Sequence, residues 1–163
     1  MGAIDELLAA NARYAERFDK GGLPAAPARR VAVVTCMDAR MLTSRMLGLE
    51  EGDAHVIRNA GGRVQDALRS LVISQRMLGT EEVMVIHHAG CGMLGLDNAT
   101  VRAKVRADLG ADDGGLDYLG FDDLEQSVRD DVAWLRDSPL VGDGVTIRGF
   151  IYDEQTGRLH EVR

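Results

Sequence analysis

No stretch of this chain is long and apolar enough to span a membrane. Nor does Met1 to Lys20 resemble a signal peptide, since Asp5, Glu6 and Glu16 stand where such a segment would be basic and then apolar. The chain therefore reads as cytoplasmic. Positive charge is also scarce: 19 Lys and Arg face 26 Asp and Glu, a formal charge of −7, and no basic patch stands out. That leaves nucleic-acid binding without support. Cysteine is limited to Cys36 and Cys91, which in a reducing compartment read as thiols or metal ligands rather than a disulfide. Repeats, low-complexity tracts and linkers are missing too. The 163 residues are expected to form one domain, 1–163, long enough to bury a core.

What is present is an alternation of strand-like and helix-like segments. Residues 3 to 18 carry Ile4, Leu7, Leu8, Tyr14 and Phe18 near one face, predicting a helix that packs on its own domain or clasps a partner subunit. Gly21 to Pro27 breaks it. Val31 to Val34 is β-branched and short, a buried strand. A short helix over Leu42 to Leu47, closed by Gly48, and a strand over Ala54 to Arg58 follow. Next come a helix over Asp66 to Leu78 with Gly79 beyond its end, and a strand over Glu82 to His87. Asn98 to Leu109 reads as a helix through Val101, Val105 and Leu109, and Asp112 to Gly120 as a polar loop. Asp122 to Asp137 reads as another helix through Leu124, Val128, Val132 and Leu135, stopped by Pro139. Val145 to Tyr152 and Arg158 to Val162 form a closing strand pair. The pattern is α/β: a mostly parallel central sheet flanked by helices on both faces, with an antiparallel edge strand from the C-terminal hairpin.

The chemistry concentrates where the first and third strands run out. Thr35 to Arg40 places a thiol, a carboxylate and a guanidinium at alternate positions, which a strand would turn to one side. His88 and Cys91 stand three apart across Ala89-Gly90, close enough for both to reach one ion. Zinc takes thiolate and neutral imidazole tetrahedrally, and Cys36, His88 and Cys91 would supply two sulfurs and one nitrogen. Their strands' carboxyl ends should meet at one edge of a doubly wound sheet. Three protein ligands leave a fourth position. Asp38 fills it, or Arg40 holds Asp38 in a bidentate pair and leaves the position to water. Taken singly, each of these residues reads as a buried thiol, a core histidine or a surface ion pair. Taken together at strand ends, they read as a metal site.

Cys36-x-Asp38-x-Arg40 followed by His88-x-x-Cys91-Gly92, with Arg58-Asn59-Ala60-Gly61 between them, resembles the signature of the β-class carbonic anhydrases, and of their small bacterial members in length. The resemblance implies one zinc per chain on Cys36, His88 and Cys91, with Asp38 either closing the coordination or paired with Arg40. It implies hydration of carbon dioxide to bicarbonate, and a homodimer or homotetramer with clefts at subunit interfaces. Zinc lowers the pKa of bound water to about 7, an effect for which carbonic anhydrases are the type case. Two departures stand out. The family usually has larger or polar residues where Ala89 and Gly90 stand, and often Asn where Gly62 follows Gly61.

Three rivals remain. Hydrolases of carbonyl sulfide or carbon disulfide related to this family use the same ligands. A non-catalytic zinc protein would keep the ligands, but has no need of the Asp38–Arg40 pair. Gly90 to Gly95 matches G-x-G-x-x-G, the dinucleotide fingerprint, which requires a helix to start at once. Elsewhere plainer readings hold. His87 should face away from His88 as a packing or hydrogen-bonding residue. His55 is read as structural and His160 as solvated. Arg58 is expected to brace the loop of Asn59, Trp134 and Met77 to pack, and the acids of Asp112 to Asp123 to be solvated.

Overall fold

The computed structural model describes residues 2–163. Five strands form one sheet: β1 (Val31–Cys36), β2 (Ala54–Asn59), β3 (Glu82–His88), β4 (Thr146–Asp153) and β5 (Arg158–Val162), in the order β2-β1-β3-β4-β5. β1 pairs parallel with β2 and β3, and β3 parallel with β4; only β5 runs antiparallel, at the edge. This is the sheet the alternation predicts. From β1 the chain goes to β2 on one side and then to β3 on the other, so the strand order reverses between β1 and β3. Crevices outside the carboxyl ends of strands at such a reversal are where α/β sheets bind ligands.

The helices are α1 (Ala3–Ala15), α2 (Thr43–Leu47), α3 (Val64–Leu78), α4 (Asn98–Leu109) and α5 (Leu124–Asp137). α3 and α5 pack on the same face of the sheet. Val64, Ala67 and Leu71 meet Val128, Val132 and Leu135 over Ala32, Val34, Val83, Val85 and Ile147. Gly149 of β4 lets α5 come that close, since a Cβ there would overlap Val128 and stand 3.0 Å from Val132 Cγ2. The opposite face, with Val33, Ile86, Met84 and Phe150, is covered by the α2 residues Met46 and Leu47 and by Met41 and Phe121 from loops. So the two long packed helices share one face instead of dividing between both.

α1 is shorter than the predicted 3 to 18. It closes through short-range bonds from Arg17 N to Tyr14 O and Phe18 N to Ala15 O. None of its residues is buried, and none of α4's is. Met77 is largely exposed, at 73%, and Trp134 is only partly covered, at 38% exposed. Each lies six residues past a buried position, Leu71 and Val128, or about 240° around its helix. The 112–123 segment is less solvated than its acids suggest, because Asp113 is nearly buried against Arg102 and Asp123 caps α5 by accepting from Gln126 N.

Candidate metal centre

β1 ends at Cys36 and β3 ends at His88, on adjacent strands paired through Thr35 and Ile86. After His88 the chain turns, with Ala89 N donating to Tyr152 O, and brings Cys91 back beneath the strand ends. One donor atom from each of Cys36, His88 and Cys91 lies within 4.8 Å of the others, all three residues buried. Both cysteines are free thiols.

Gly62 explains why a neighbouring loop can come so near. Its φ is +71°, and a Cβ would stand 3.0 Å from Cys36 N and from Ile86 O. The position favours glycine on conformation and on space together. The loop is tied by Asn59, whose side chain donates to Arg63 O and accepts from Arg63 N, both at 2.8 Å. Arg58 does a different job from the one expected. It braces the Cys36–Asp38 segment, donating to Cys36 O at 3.0 Å and to Asp38 O at 2.6 Å.

Asp38 and Arg40 do meet the site, but not by strand pleat, since β1 has already ended. A tight turn places them: Arg40 N and Nε both donate to Asp38 Oδ1 at 2.9 Å, and its NH2 donates to Oδ2 at 2.7 Å. The same NH2 donates to Gly90 O at 2.9 Å. Asp38 Oδ2 stands 3.9 Å from His88 Nε2. Arg40's guanidinium and amide hold the Asp38 carboxyl well below the usual carboxylate range, so it is ionised at any neutral pH.

The donor set fits a metal ion on one orphaned atom. His88 is fully buried, its Nδ1 lies 2.6 Å from Glu154 Oε1, and its Nε2 has no hydrogen-bond partner. A proton on Nδ1, shared with the carboxylate, leaves the Nε2 lone pair free to bind a cation. Cys91 donates toward Cys36, which with help from His88 and the amides of Asp38 and Gly61 outweighs burial and pulls the Cys36 thiol down to about 4. The same contact and burial push Cys91 up, so the sulfurs hold one proton between them. Burial lowers His88, but Cys36 and Glu154 outweigh it and the net shift is upward.

Glu154 escaped the sequence. It lies in the Asp153 to Gly157 hairpin turn, and only the β3–β4 register, His88 opposite Tyr152, brings it alongside. The plainer histidine readings are accurate. His87 turns to the other face, 2.8 Å from Ser127 Oγ and 3.2 Å from Asp131 Oδ2, where Asp131 also pairs with the buried Arg63. His55 bonds Ser74, and His160 is exposed. The dinucleotide reading fails: Gly90 to Gly95 is turns, and α4 begins only at Asn98.

Two thiols and an imidazole meeting at the switch point of a parallel sheet define an α/β protein built for zinc. A family model described as carbonic anhydrase matches residues 31–110. β-Carbonic anhydrase 1 of Mycobacterium tuberculosis is 42% identical over 163 residues, covering 99% of each chain. The carbonic anhydrase crystal structure from Streptococcus mutans superposes with a TM-score of 0.94 at 47% identity, over 100% of this chain and 99% of that one. A carbon disulfide hydrolase of Acidithiobacillus thiooxidans is 35% identical over 155 residues, 80% of this chain and 76% of its own length. The chain belongs to the β-carbonic anhydrase family, zinc lyases that hydrate carbon dioxide.

Proposed function

We propose that this chain hydrates carbon dioxide reversibly to bicarbonate and a proton, as one domain with one zinc ion on Cys36 Sγ, His88 Nε2 and Cys91 Sγ. The observation that carries the assignment is the buried, unpartnered His88 Nε2 among two free thiols. When bound, the ion supplies Lewis acidity that makes hydroxide available near neutral pH. Asp38 is the catalytic carboxylate. Ionised and held by Arg40, it accepts a hydrogen bond from the attacking oxygen and aims that oxygen's lone pair at carbon. Arg40 also sets the coordination: for Asp38 to become a fourth ligand, its three bonds to Arg40 must break. While that pair stands, Asp38 would be held back from an ion bound to Cys36, His88 and Cys91.

Membership of the same family does not by itself separate carbon dioxide from carbon disulfide, but the greater identity to the carbonic anhydrases favours the first. The deciding experiment measures stopped-flow hydration of carbon dioxide by the zinc-loaded protein, then after chelation and after zinc is restored. Activity that is lost and regained supports the assignment. Turnover of carbon disulfide alone, or hydration indifferent to chelation, refutes it.

Zinc binding should strengthen as pH rises. Cys91 keeps its proton without metal and must lose it for the ion to bind, and the upward shift of His88 makes protons compete harder for its Nε2. Affinity then climbs about tenfold per pH unit for each proton displaced. A chelator-competition series from about pH 6 to 8 should show that slope, and a flat profile contradicts thiol ligation.

We further propose a homo-oligomer in a reducing compartment such as the cytoplasm. Two free cysteines support the compartment. α1 supports the assembly, with Ile4, Leu7 and Leu8 all more than half exposed on a helix that buries nothing within its own chain.

A further inference from the structure

Glu154 Oε1 is the meeting point of three contacts. It accepts from His88 Nδ1 at 2.6 Å and from Gly90 N at 2.7 Å, and it lies 3.4 Å from Arg40 NH2. One oxygen thus touches a metal-facing imidazole, the turn between His88 and Cys91, and the guanidinium that clamps Asp38. Its side chain is only 10% exposed. A carboxylate this buried needs such partners, because desolvating it without them would cost several kcal/mol.

Gly90 is what admits it. A Cβ at that position would stand 2.6 Å from Glu154 Oε1 and 3.2 Å from both terminal nitrogens of Arg40. Under 3 Å one of the atoms has to move, and here the atom to move is the one that orients the imidazole. The departure from the family pattern at Gly90 and the carboxylate at Glu154 are therefore one feature. The glycine vacates a space between the two ligands of the turn, and an acid from the far hairpin fills it.

We propose that Glu154, with Gly90 as the gap that receives it, is the positioning residue of the metal centre. It fixes the His88 tautomer and ring so that Nε2 faces the two sulfurs, and it steadies Arg40 beside Asp38. This rests on the assignment of Cys36, His88 and Cys91 as zinc ligands. Outer partners of ligating histidines are worth 10- to 100-fold in metal affinity. Glu154→Gln preserves shape but removes the charge. Gly90→Ala keeps the acid in the sequence but displaces its carboxylate from Gly90 and His88.

The test is zinc affinity by chelator competition for the wild-type chain, each single variant and the double variant, with the melting temperature of each zinc-free protein and the visible spectrum of each cobalt-loaded form. Each single variant should bind zinc roughly 10- to 100-fold more weakly, with a shifted cobalt spectrum and a zinc-free form that still melts cooperatively. The double variant should be no weaker than the weaker single one, since both remove the same contact. Wild-type affinity in Glu154→Gln overturns the proposal, and so do losses that multiply in the double variant. Should Glu154→Gln fail to fold, Gly90→Ala decides alone: an unshifted cobalt spectrum and unchanged affinity overturn the proposal. If the wild-type chain itself takes up no zinc, it is the ligand assignment that fails.

Discussion

Cys36→Ser and Cys91→Ser should each yield a folded chain that no longer retains zinc and no longer hydrates carbon dioxide. A serine hydroxyl is close to the thiol in size, so the packing around both buried positions survives. What goes is the thiolate. An alcohol stays protonated at neutral pH and offers the ion only a weak neutral oxygen, whereas the Cys36 thiol is pulled well below its ordinary range by its hydrogen bonds from Cys91 and His88. Zinc's Lewis acidity is worth several kcal/mol to the reaction, so turnover should drop by about a thousandfold or more. Metal analysis after dialysis and a stopped-flow assay read the two losses together. Retention of a full equivalent of zinc by both variants would mean that the ion, if bound, sits elsewhere.

Asp38→Ala should separate binding from chemistry. Asp38 Oδ2 lies 3.9 Å from His88 Nε2, beside the ligand set and bound instead to Arg40, so its removal should leave a stoichiometric zinc ion. The reaction should still lose about a hundredfold or more in turnover, the lower range for a positioned acid–base group. Glu154, the other carboxylate that touches His88, cannot take its place, since it is occupied by His88 Nδ1 and Gly90 N. Arg40→Ala makes the complementary case. Freed from its clamp, Asp38 can swing to the ion, so zinc should stay bound while turnover falls. Unchanged turnover in Asp38→Ala would remove the residue from the mechanism.

The strands and the parallel character of their sheet could be read from the chain because β1 and β3 are short apolar, β-branched runs and strands alternate with helices; their order across the sheet could not. The three donors were legible for a related reason: Cys36 and His88 end such runs and Cys91 follows His88 by three residues, where a parallel sheet gathers its carboxyl termini. Asp38 and Arg40 were legible as a pair but for the wrong geometry. A local turn closed by Arg40 N on Asp38 Oδ1 orients them, and strand alternation plays no part. Glu154 was not legible. It is 66 residues from His88, in a polar hairpin turn that looks like any other, and only the strand register places it. Amphipathic stripes likewise showed that α1 and α4 are helices but not what they lie against, because a stripe records that an apolar face exists and says nothing of whose surface covers it.

That last feature has a thermodynamic side. At 13 residues α1 is near the length at which an isolated helix is only marginal in water. Among the described residues, a hydrogen bond from Tyr14 to Glu51 ties its side chains to the body. In the homo-oligomer proposed above, its helical order would depend on assembly: dilution should then fray it and open the Gly21–Pro27 stretch to proteases, while the sheet and the sulfur-lined site stay folded.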